Sequence, residues 1–145
     1  VGVGPYVPHP DTPLACGVVA PLAPADQVPA SAAMALRVVA LTRLVCQYVH
    51  LPATTALATV DPAEGRVHAL QAGANVLMPN LTPLAYRRLY DIYPAKAGSA
   101  DDDPLAHHGA LLAAITAAGR TIGVGPGASP NWVRRTVPAA PPHRD

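Results

Sequence analysis

Two cysteines and six histidines are the residues of this sequence with side chains typical of transition-metal sites, and their spacing does not form a site. Cys16 and Cys46 belong to no metal-binding motif. His107 and His108 are adjacent, so in a helix their side chains point about 100° apart and cannot share one ion. We therefore expect no metal site here, and we expect Cys46 to be a small buried residue.

Gly2 and Gly4 form a G-x-G spacing in the opening stretch VGVGPYVPHPDTPL, which raises the question of a phosphate loop. A dinucleotide-binding fingerprint requires a third glycine and a helix directly after the strand. Position 7 is Val7, and the following PHPDTPL cannot start a helix. We therefore exclude phosphate binding, and we expect the glycines to let another backbone or a flat ligand approach closely.

The strands and helices that must position the candidate residues are predicted from the spacing of apolar residues along the chain. Short apolar, β-branched runs predict strands over residues 1–7, 50–58 and 74–80. Helical patterns occupy residues 31–46, 61–73 and 103–119. Strands that alternate with helices indicate an α/β fold with a parallel sheet covered by helices.

Capping residues and apolar stripes define the predicted helices more closely. Ser31 and Asp103 are expected N-caps, Pro104 suits the first helical position, and Gly73 suits the C′ position of the middle helix. Apolar residues at helical spacing predict the buried faces of the first and last helices. They are Met34, Val38, Leu41 and Val45 in the first, and Leu105, Leu112 and Ile115 in the last.

The composition limits the classes of protein and partner. Half of the residues are apolar, 13% are charged and the net charge is +1. This excludes a highly charged disordered chain and predicts no nucleic-acid and no membrane partner. No run approaches the roughly 18 apolar residues of a membrane span, and the first residues do not form a signal peptide. We expect a cytoplasmic protein without a disulfide framework.

The predicted units are too few to close an eight-stranded barrel, which usually takes about 250 residues. The pattern therefore predicts either a small open α/β sheet or the end of a barrel whose start is missing. We favour the second, because a natural chain rarely begins inside a buried strand.

Several strings of the sequence resemble one known family. VGVGPYVPHPDTPL, ALTRL, LPATTALATV, GANVLMPNLTP and YRRLYDIYPAK occur in this order and at similar spacing in the HydE family. These are the radical S-adenosylmethionine maturases of iron-only hydrogenase. The resemblance covers roughly residues 1–123, and biotin synthase or methylornithine synthase fits the same strings less well.

The resemblance implies a (β/α)8 TIM-type barrel, of which this chain would form the last three β/α units with the N-terminal part missing. Residues 1–123 would be the C-terminal portion of that barrel. Residues 124–145 are rich in Pro, Gly and Ala, and we expect them to be a disordered tail.

The resemblance also implies cofactors and partners. The family binds S-adenosylmethionine and a 4Fe-4S cluster through a C-x-x-x-C-x-x-C loop, and acts on a small iron–cysteine carbonyl cyanide precursor. Other hydrogenase maturases are expected partners. The three cysteines of that loop are absent here, so we expect no catalytic residue in this chain and no activity from it alone. The cysteine pair that holds an auxiliary cluster in some members aligns with His107 and Ala110, so no auxiliary cluster is expected.

Site residues follow from the resemblance at the ends of the predicted strands. Gly4, Pro5 and Tyr6 would line the adenosyl pocket through the backbone, although a tight turn would also suit them. Thr54 and Thr55 would line an anion-binding substrate cavity. From the residues alone they are also ordinary β-branched strand formers, and in a regular strand only one of them would face the lumen.

Further side chains complete the expected substrate cavity, and each has a simpler interpretation. Met78 could pack against substrate or belong to the core. Tyr90 and Tyr93 could reach the cavity or pack at its mouth with wet hydroxyls. Charged residues of the same region are expected at the surface. They are Arg87, Arg88 and Lys96.

Other functions remain open at this point. The chain could belong to another biotin synthase-like or methylornithine synthase-like radical enzyme, which substrate assays on the complete protein would separate. It could also be a non-catalytic partial-barrel binding module. An upstream reading frame with a three-cysteine loop would exclude the module.

Overall fold

The computed structural model describes residues 1–90, 92 and 104–136 of the chain. The helices of this part are α1 (Ala32–Val45), α2 (Thr55–Val60), α3 (Gly65–Gln71), α4 (Leu84–Arg87), α5 (Pro104–Ala117) and α6 (Pro130–Thr136). It also contains 3₁₀ turns at Pro24–Asp26 and Arg88–Tyr90. Helices α1, α2 and α3 contact one another, and α5 contacts α3. Within these ranges, no helix is long and apolar enough to span a membrane.

Helix α1 begins where its capping residue predicts. The Ser31 hydroxyl oxygen accepts a hydrogen bond from the Met34 backbone N–H at 3.2 Å, which satisfies a free donor of the first turn. The predicted buried stripe is wrong, because Val45 is 83% exposed, whereas Ala35 and Val39 are buried. Apolar residues surround most of this helix, so the pattern allowed more than one inward face.

The core lies between α1, α2 and α3. Val39, Leu51 and Leu57 are its largest fully buried side chains, and small alanines of α1 and α3 allow the helices to approach closely. Burying one such aliphatic side chain contributes about 1.5–3 kcal/mol. Helix α5 packs on this core through Ile115 and, just past its end, Ala118. In the predicted inward face of α5, Leu112 is instead 38% exposed, and Leu111 is buried.

The predicted barrel units are not found, and that fold prediction is wrong. The described part of the chain contains no strand over residues 1–7, 50–58 or 74–80. Pro52 and Val76 form an isolated parallel bridge there. Two backbone hydrogen bonds flank it, from Ala53 N–H to the Val76 oxygen and from Asn75 N–H to the Leu51 oxygen, each 2.9 Å.

Local chemistry explains why residues 50–58 do not continue as a strand. Pro52 has no N–H to donate to a ladder. The Leu51 N–H donates to the side-chain oxygen of Asn75 at 2.8 Å. Thr54 then caps α2, since its hydroxyl oxygen accepts from the Leu57 N–H at 3.3 Å. The run that reads as β-branched strand is therefore helical from Thr55 onward.

The first and third predicted strands also lack a ladder. Among the described residues, Gly2–Pro8 make no backbone hydrogen bonds. The Val1 ammonium donates to the His50 carbonyl oxygen at 2.8 Å. Pairing after Val76 stops before Pro79, which has no N–H. A parallel strand requires a series of evenly spaced bonds, which these segments do not make.

Arg43 joins the carboxyl ends of α1 and α3. Its Nε donates to the Gly73 carbonyl oxygen at 2.8 Å, and its Nη1 donates to the Cys46 and Gln47 carbonyl oxygens at 3.3 and 2.7 Å. Gly73 follows the C-cap of α3 with a φ of +118°, so the predicted glycine C′ residue is confirmed. The guanidinium thus satisfies carbonyl groups that the helix ends leave free.

Residues 127–131 are attached to the segment between α1 and α2. A ring nitrogen of His50 lies 2.8 Å from the Gly127 carbonyl oxygen, to which it donates. The Tyr48 carbonyl oxygen accepts from the Ser129 hydroxyl at 3.3 Å and from the Asn131 N–H at 3.1 Å. This attachment and α6 both lie within the stretch 124–145, for which the sequence predicts a tail.

Candidate functional site

Gly4 lies directly against Thr54, which caps α2. A Cβ placed on Gly4 would lie 2.6 Å from the Thr54 Oγ1 and 3.4 Å from the Thr54 Cβ. A Cβ placed on Gly2, the other glycine of the G-x-G spacing, would meet no heavy atom within 4 Å. The structure therefore brings together one residue predicted to contact the cofactor and one predicted to contact the substrate.

The residues that follow Gly4 alternate in burial. Pro5 is buried, whereas Tyr6 is 51% exposed. The backbone groups of Gly2–Pro8 form no hydrogen bonds among the described residues, so the C=O groups, and the N–H groups of all but Pro5 and Pro8, are available to another molecule. This is the kind of segment that backbone recognition of a ligand requires.

The two threonines have different local roles. The Thr54 oxygen accepts from the Leu57 N–H, and a hydroxyl that accepts in this way still has one proton to donate. Thr55 is the first residue of α2, and its carbonyl oxygen accepts from the Thr59 hydroxyl at 3.0 Å. Both side chains are half-buried. The strand argument, in which only one of them can face a cavity, does not apply at a helix start.

The remaining predicted substrate residues lie elsewhere along the chain. Met78 follows the isolated bridge and is 52% exposed, and Tyr90 ends a 3₁₀ turn and is 58% exposed. Tyr93 lies outside the described residues, as do Asp103 and Lys96. The approach of Met78 and Tyr90 to the threonines stays a prediction.

A cavity of about 570 Å³ lies between α1, α3, α5 and residues 120–123, and its lining includes Leu77 and Pro79, the chain neighbours of Met78. Its cationic residues include Arg43 and Arg120, and an Arg120 Nη2 donates to the Leu70 carbonyl oxygen at 3.3 Å. Both guanidinium groups therefore face the negative, carboxyl ends of helices. We interpret them as caps of those helices.

Comparison with known protein families and curated proteins gives two findings. No family model matches the sequence. One curated protein, the FeFe hydrogenase maturase subunit HydE of Thermotoga maritima, is 46% identical over 96 residues, which are 66% of this chain. Over this part, the chain belongs to the HydE family. The resemblance read from the sequence strings is thereby confirmed. The chain spans about a quarter of the length of that relative, the aligned share being 24%.

The cysteines and histidines of this HydE-family chain do not gather into a metal centre within the described ranges. No group of three or more His, Cys, Asp or Glu residues there is placed to bind a metal ion. Cys16 is exposed and Cys46 is half-buried, and both are free thiols. His107 is half-buried and its neighbour His108 is exposed.

Arg87 of this HydE-family chain has a role that the sequence did not reveal. It was expected at the surface, but it is 4% exposed. Its Nε donates to the Thr82 carbonyl oxygen at 2.9 Å and its Nη2 to the Asn80 carbonyl oxygen at 3.3 Å. The Asn80 side-chain oxygen accepts from the Thr82 N–H at 3.2 Å, a turn that brings these carbonyls together. The asparagine two residues before a threonine is a sequence signal for the turn, but not for the burial of Arg87.

Proposed function

We propose that this chain is the C-terminal part of a HydE-type maturase that helps to assemble the active-site cluster of FeFe hydrogenase. In this proposal the complete protein is a cytoplasmic radical S-adenosylmethionine enzyme. Gly4, Pro5 and Tyr6 contact the adenosyl group, while Thr54 and Thr55 contact the substrate. Support comes from the 46% identity to a hydrogenase maturase subunit over 96 residues.

The observation that carries the site proposal is the contact between Gly4 and Thr54. The cofactor and the substrate of one reaction must lie next to each other, because effective catalysis requires reacting atoms about 3–3.5 Å apart. Residues distant in sequence and assigned to the two ligands should therefore be neighbours. A Cβ on Gly4 would lie 2.6 Å from the Thr54 oxygen, which supports this arrangement.

The chain's residues fit S-adenosylmethionine at the opening segment. Gly4 has no side chain, and the peptide groups around it are without hydrogen-bond partners among the described residues. They can therefore bind an adenosyl group through the backbone, while the half-exposed ring of Tyr6 offers an apolar surface. When bound, S-adenosylmethionine supplies the radical chemistry of the reaction.

The 4Fe-4S cluster does not fit the residues of this chain. Such clusters are held by cysteine thiolates, and the family's loop uses three. This sequence has two cysteines, and neither stands in that motif. The thiolates would have to come from residues that are not in this sequence, so we assign no step of the reaction through the cluster to this chain.

The threonines supply the substrate contact. The proposed substrate is a small, negatively charged iron–cysteine carbonyl cyanide precursor. The Leu57 N–H holds the Thr54 oxygen and leaves its O–H to donate to the anionic group. Thr55 offers a second hydroxyl from the first turn of α2. A hydrogen bond to a charged group contributes about 1.5–3 kcal/mol, so these contacts orient the substrate without reacting with it.

The proposal has further parts that concern the complete protein. Other hydrogenase maturases are its partners, and Met78, Tyr90 and Tyr93 line the rest of the substrate cavity. Residues 1–123 form the functional part of this chain, with 124–145 outside it.

A chimera tests the proposed function. Residues 1–123 of this chain would replace the part of Thermotoga maritima HydE that they resemble. We expect the chimera to cleave S-adenosylmethionine and to support activation of hydrogenase, with the parent protein measured beside it as the reference. Iron content and cleavage of S-adenosylmethionine without substrate are the controls for folding. A chimera with parental values in both controls that does not activate hydrogenase would contradict the proposal.

A further inference from the structure

Gly4 occupies a position where any side chain would collide with one defined atom. Real Cβ contacts are essentially never shorter than 3.0 Å, and a Cβ here would lie 2.6 Å from Thr54 Oγ1. Its other near neighbours, Thr54 Cβ at 3.4 Å and Cγ2 at 3.5 Å, are at ordinary contact distance. The conflict is therefore with the hydroxyl alone.

The backbone of Gly4 does not itself require glycine. Among the described residues, the glycines with positive φ are Gly17, Gly73, Gly119, Gly125 and Gly127, and Gly4 is not one of them. An alanine at position 4 would therefore carry no strain of left-handed backbone. Its cost would come from the Thr54 hydroxyl, which makes the position a clean test of that contact.

Relief of the collision would separate the two residues in one of two ways. Rotation of Thr54 about χ1 would take Oγ1 away from the Leu57 N–H, which lies 3.3 Å from it. Alternatively the opening segment would shift. Among the described residues, the hydrogen bond that ties this segment to the rest of the chain runs from the Val1 ammonium to the His50 carbonyl oxygen. Either movement changes where the Thr54 hydroxyl points relative to Gly4.

We propose that Gly4 is a positioning residue. Because it has no Cβ, the Thr54 hydroxyl has room to keep the orientation that binds the anionic substrate. The substrate contact in this inference rests on the proposed function, but the steric coupling between Gly4 and Thr54 does not. Through this coupling, the segment proposed to bind the cofactor fixes the geometry of a hydroxyl proposed to bind the substrate. A glycine at position 4 thus serves both ligands.

The first test is a set of substitutions that keep or remove the colliding atom. Thr54→Ser keeps Oγ1, Thr54→Val puts a methyl group in its place, and Thr54→Ala removes it. We expect Gly4→Ala to lower the thermal unfolding midpoint in the wild-type, Ser and Val backgrounds, and to change it little in the Ala background. Gly2→Ala is the steric control and should leave the midpoint unchanged in all four. If Gly4→Ala prevents folding, folding of the Gly4→Ala/Thr54→Ala chain supports the contact, and equal loss in both backgrounds overturns it.

The second test measures substrate use in the chimera, with the iron–cysteine carbonyl cyanide precursor as the probe. Gly4→Ala should raise KM for the precursor by about tenfold, the loss expected for one hydrogen bond to a charged group. Adding it to Thr54→Ala should raise KM no further. A purely structural role would lower activity without this KM effect and without the dependence on position 54.

The outcomes separate the inference from the proposed function. If Thr54→Ala raises KM and Gly4→Ala does not, the positioning role is wrong and the substrate contact stands. If the unfolding midpoints show the steric coupling but neither substitution alters KM, the substrate contact is wrong and the positioning role falls with it.

Discussion

The Arg43 guanidinium donates to the carbonyl oxygen of Gly73, with 2.8 Å between Nε and oxygen, and so joins the end of α1 to the end of α3. Two more carbonyl oxygens, of Cys46 and Gln47, accept from the same side chain. Helices shorter than ~12–15 residues are marginal alone. The seven-residue α3 therefore depends on contacts of this kind.

Replacement of Arg43 should destabilise the fold. Arg43→Ala removes three charge-assisted donors and leaves the carbonyl groups of two helix ends without them. We expect the free energy of unfolding in urea to fall by about 1.5–3 kcal/mol. Arg37→Ala is the matched control, because Arg37 is exposed on the same helix and should change stability by less than about 0.5 kcal/mol. Equal effects of the two substitutions would contradict the role of Arg43.

Gly73 should tolerate a side chain less well than Gly119, although both end a helix with positive φ. A Cβ on Gly73 would lie 2.7 Å from Arg43 Cγ, whereas one on Gly119 would meet no heavy atom within 4 Å. The left-handed backbone costs an L-residue about 1–2 kcal/mol at Gly119, whose φ is +66°, and no less at Gly73, whose φ of +118° lies beyond the left-handed helical region. We expect Gly73→Ala to exceed Gly119→Ala in its loss of stability, measured by thermal unfolding. An equal or smaller loss would show that the Arg43 side chain adjusts freely.

The capping role of Thr54 predicts a difference between the two threonines in stability. Thr54→Val removes the acceptor of the Leu57 N–H, so the free energy of unfolding should fall by about 1 kcal/mol. Thr54→Ser retains the acceptor and should change it little. Thr55→Val should also cost little, because its hydroxyl is not the cap. Urea unfolding of the three variants checks this order, and a larger loss for Thr55→Val than for Thr54→Val would refute it.

The helix ends that were predicted correctly are set by capping, which is local chemistry, whereas α3 begins at Gly65 and not near residue 61 as predicted. Ser31 starts α1, Gly73 follows α3, and α5 ends two residues before Gly119. Each depends on a side chain or backbone conformation within a few residues of the helix end. The family resemblance was likewise readable, because it consists of contiguous strings.

Strands and buried charges were not predictable from the same information. A strand exists only if a distant segment pairs with it, and Pro52 and the capping of α2 by Thr54 limit that pairing to one bridge. Arg87 is buried because the turn at Asn80 directs carbonyl oxygens toward it. The contact between Gly4 and Thr54 is also long-range. The resemblance implied it only indirectly, by assigning Gly4 to the cofactor and Thr54 to the substrate.

The substrate affinity of threonine variants in the chimera tests the central claim most directly. Thr54→Val and Thr55→Val, singly and together, keep the side-chain shape and remove the donors. If the hydroxyls bind the anionic precursor, its affinity should fall by about 10- to 100-fold in at least one single variant. Cleavage of S-adenosylmethionine without substrate should be unchanged, since Gly4, Pro5 and Tyr6 carry that contact. Full affinity and full turnover in both single variants and in the double variant would contradict the account.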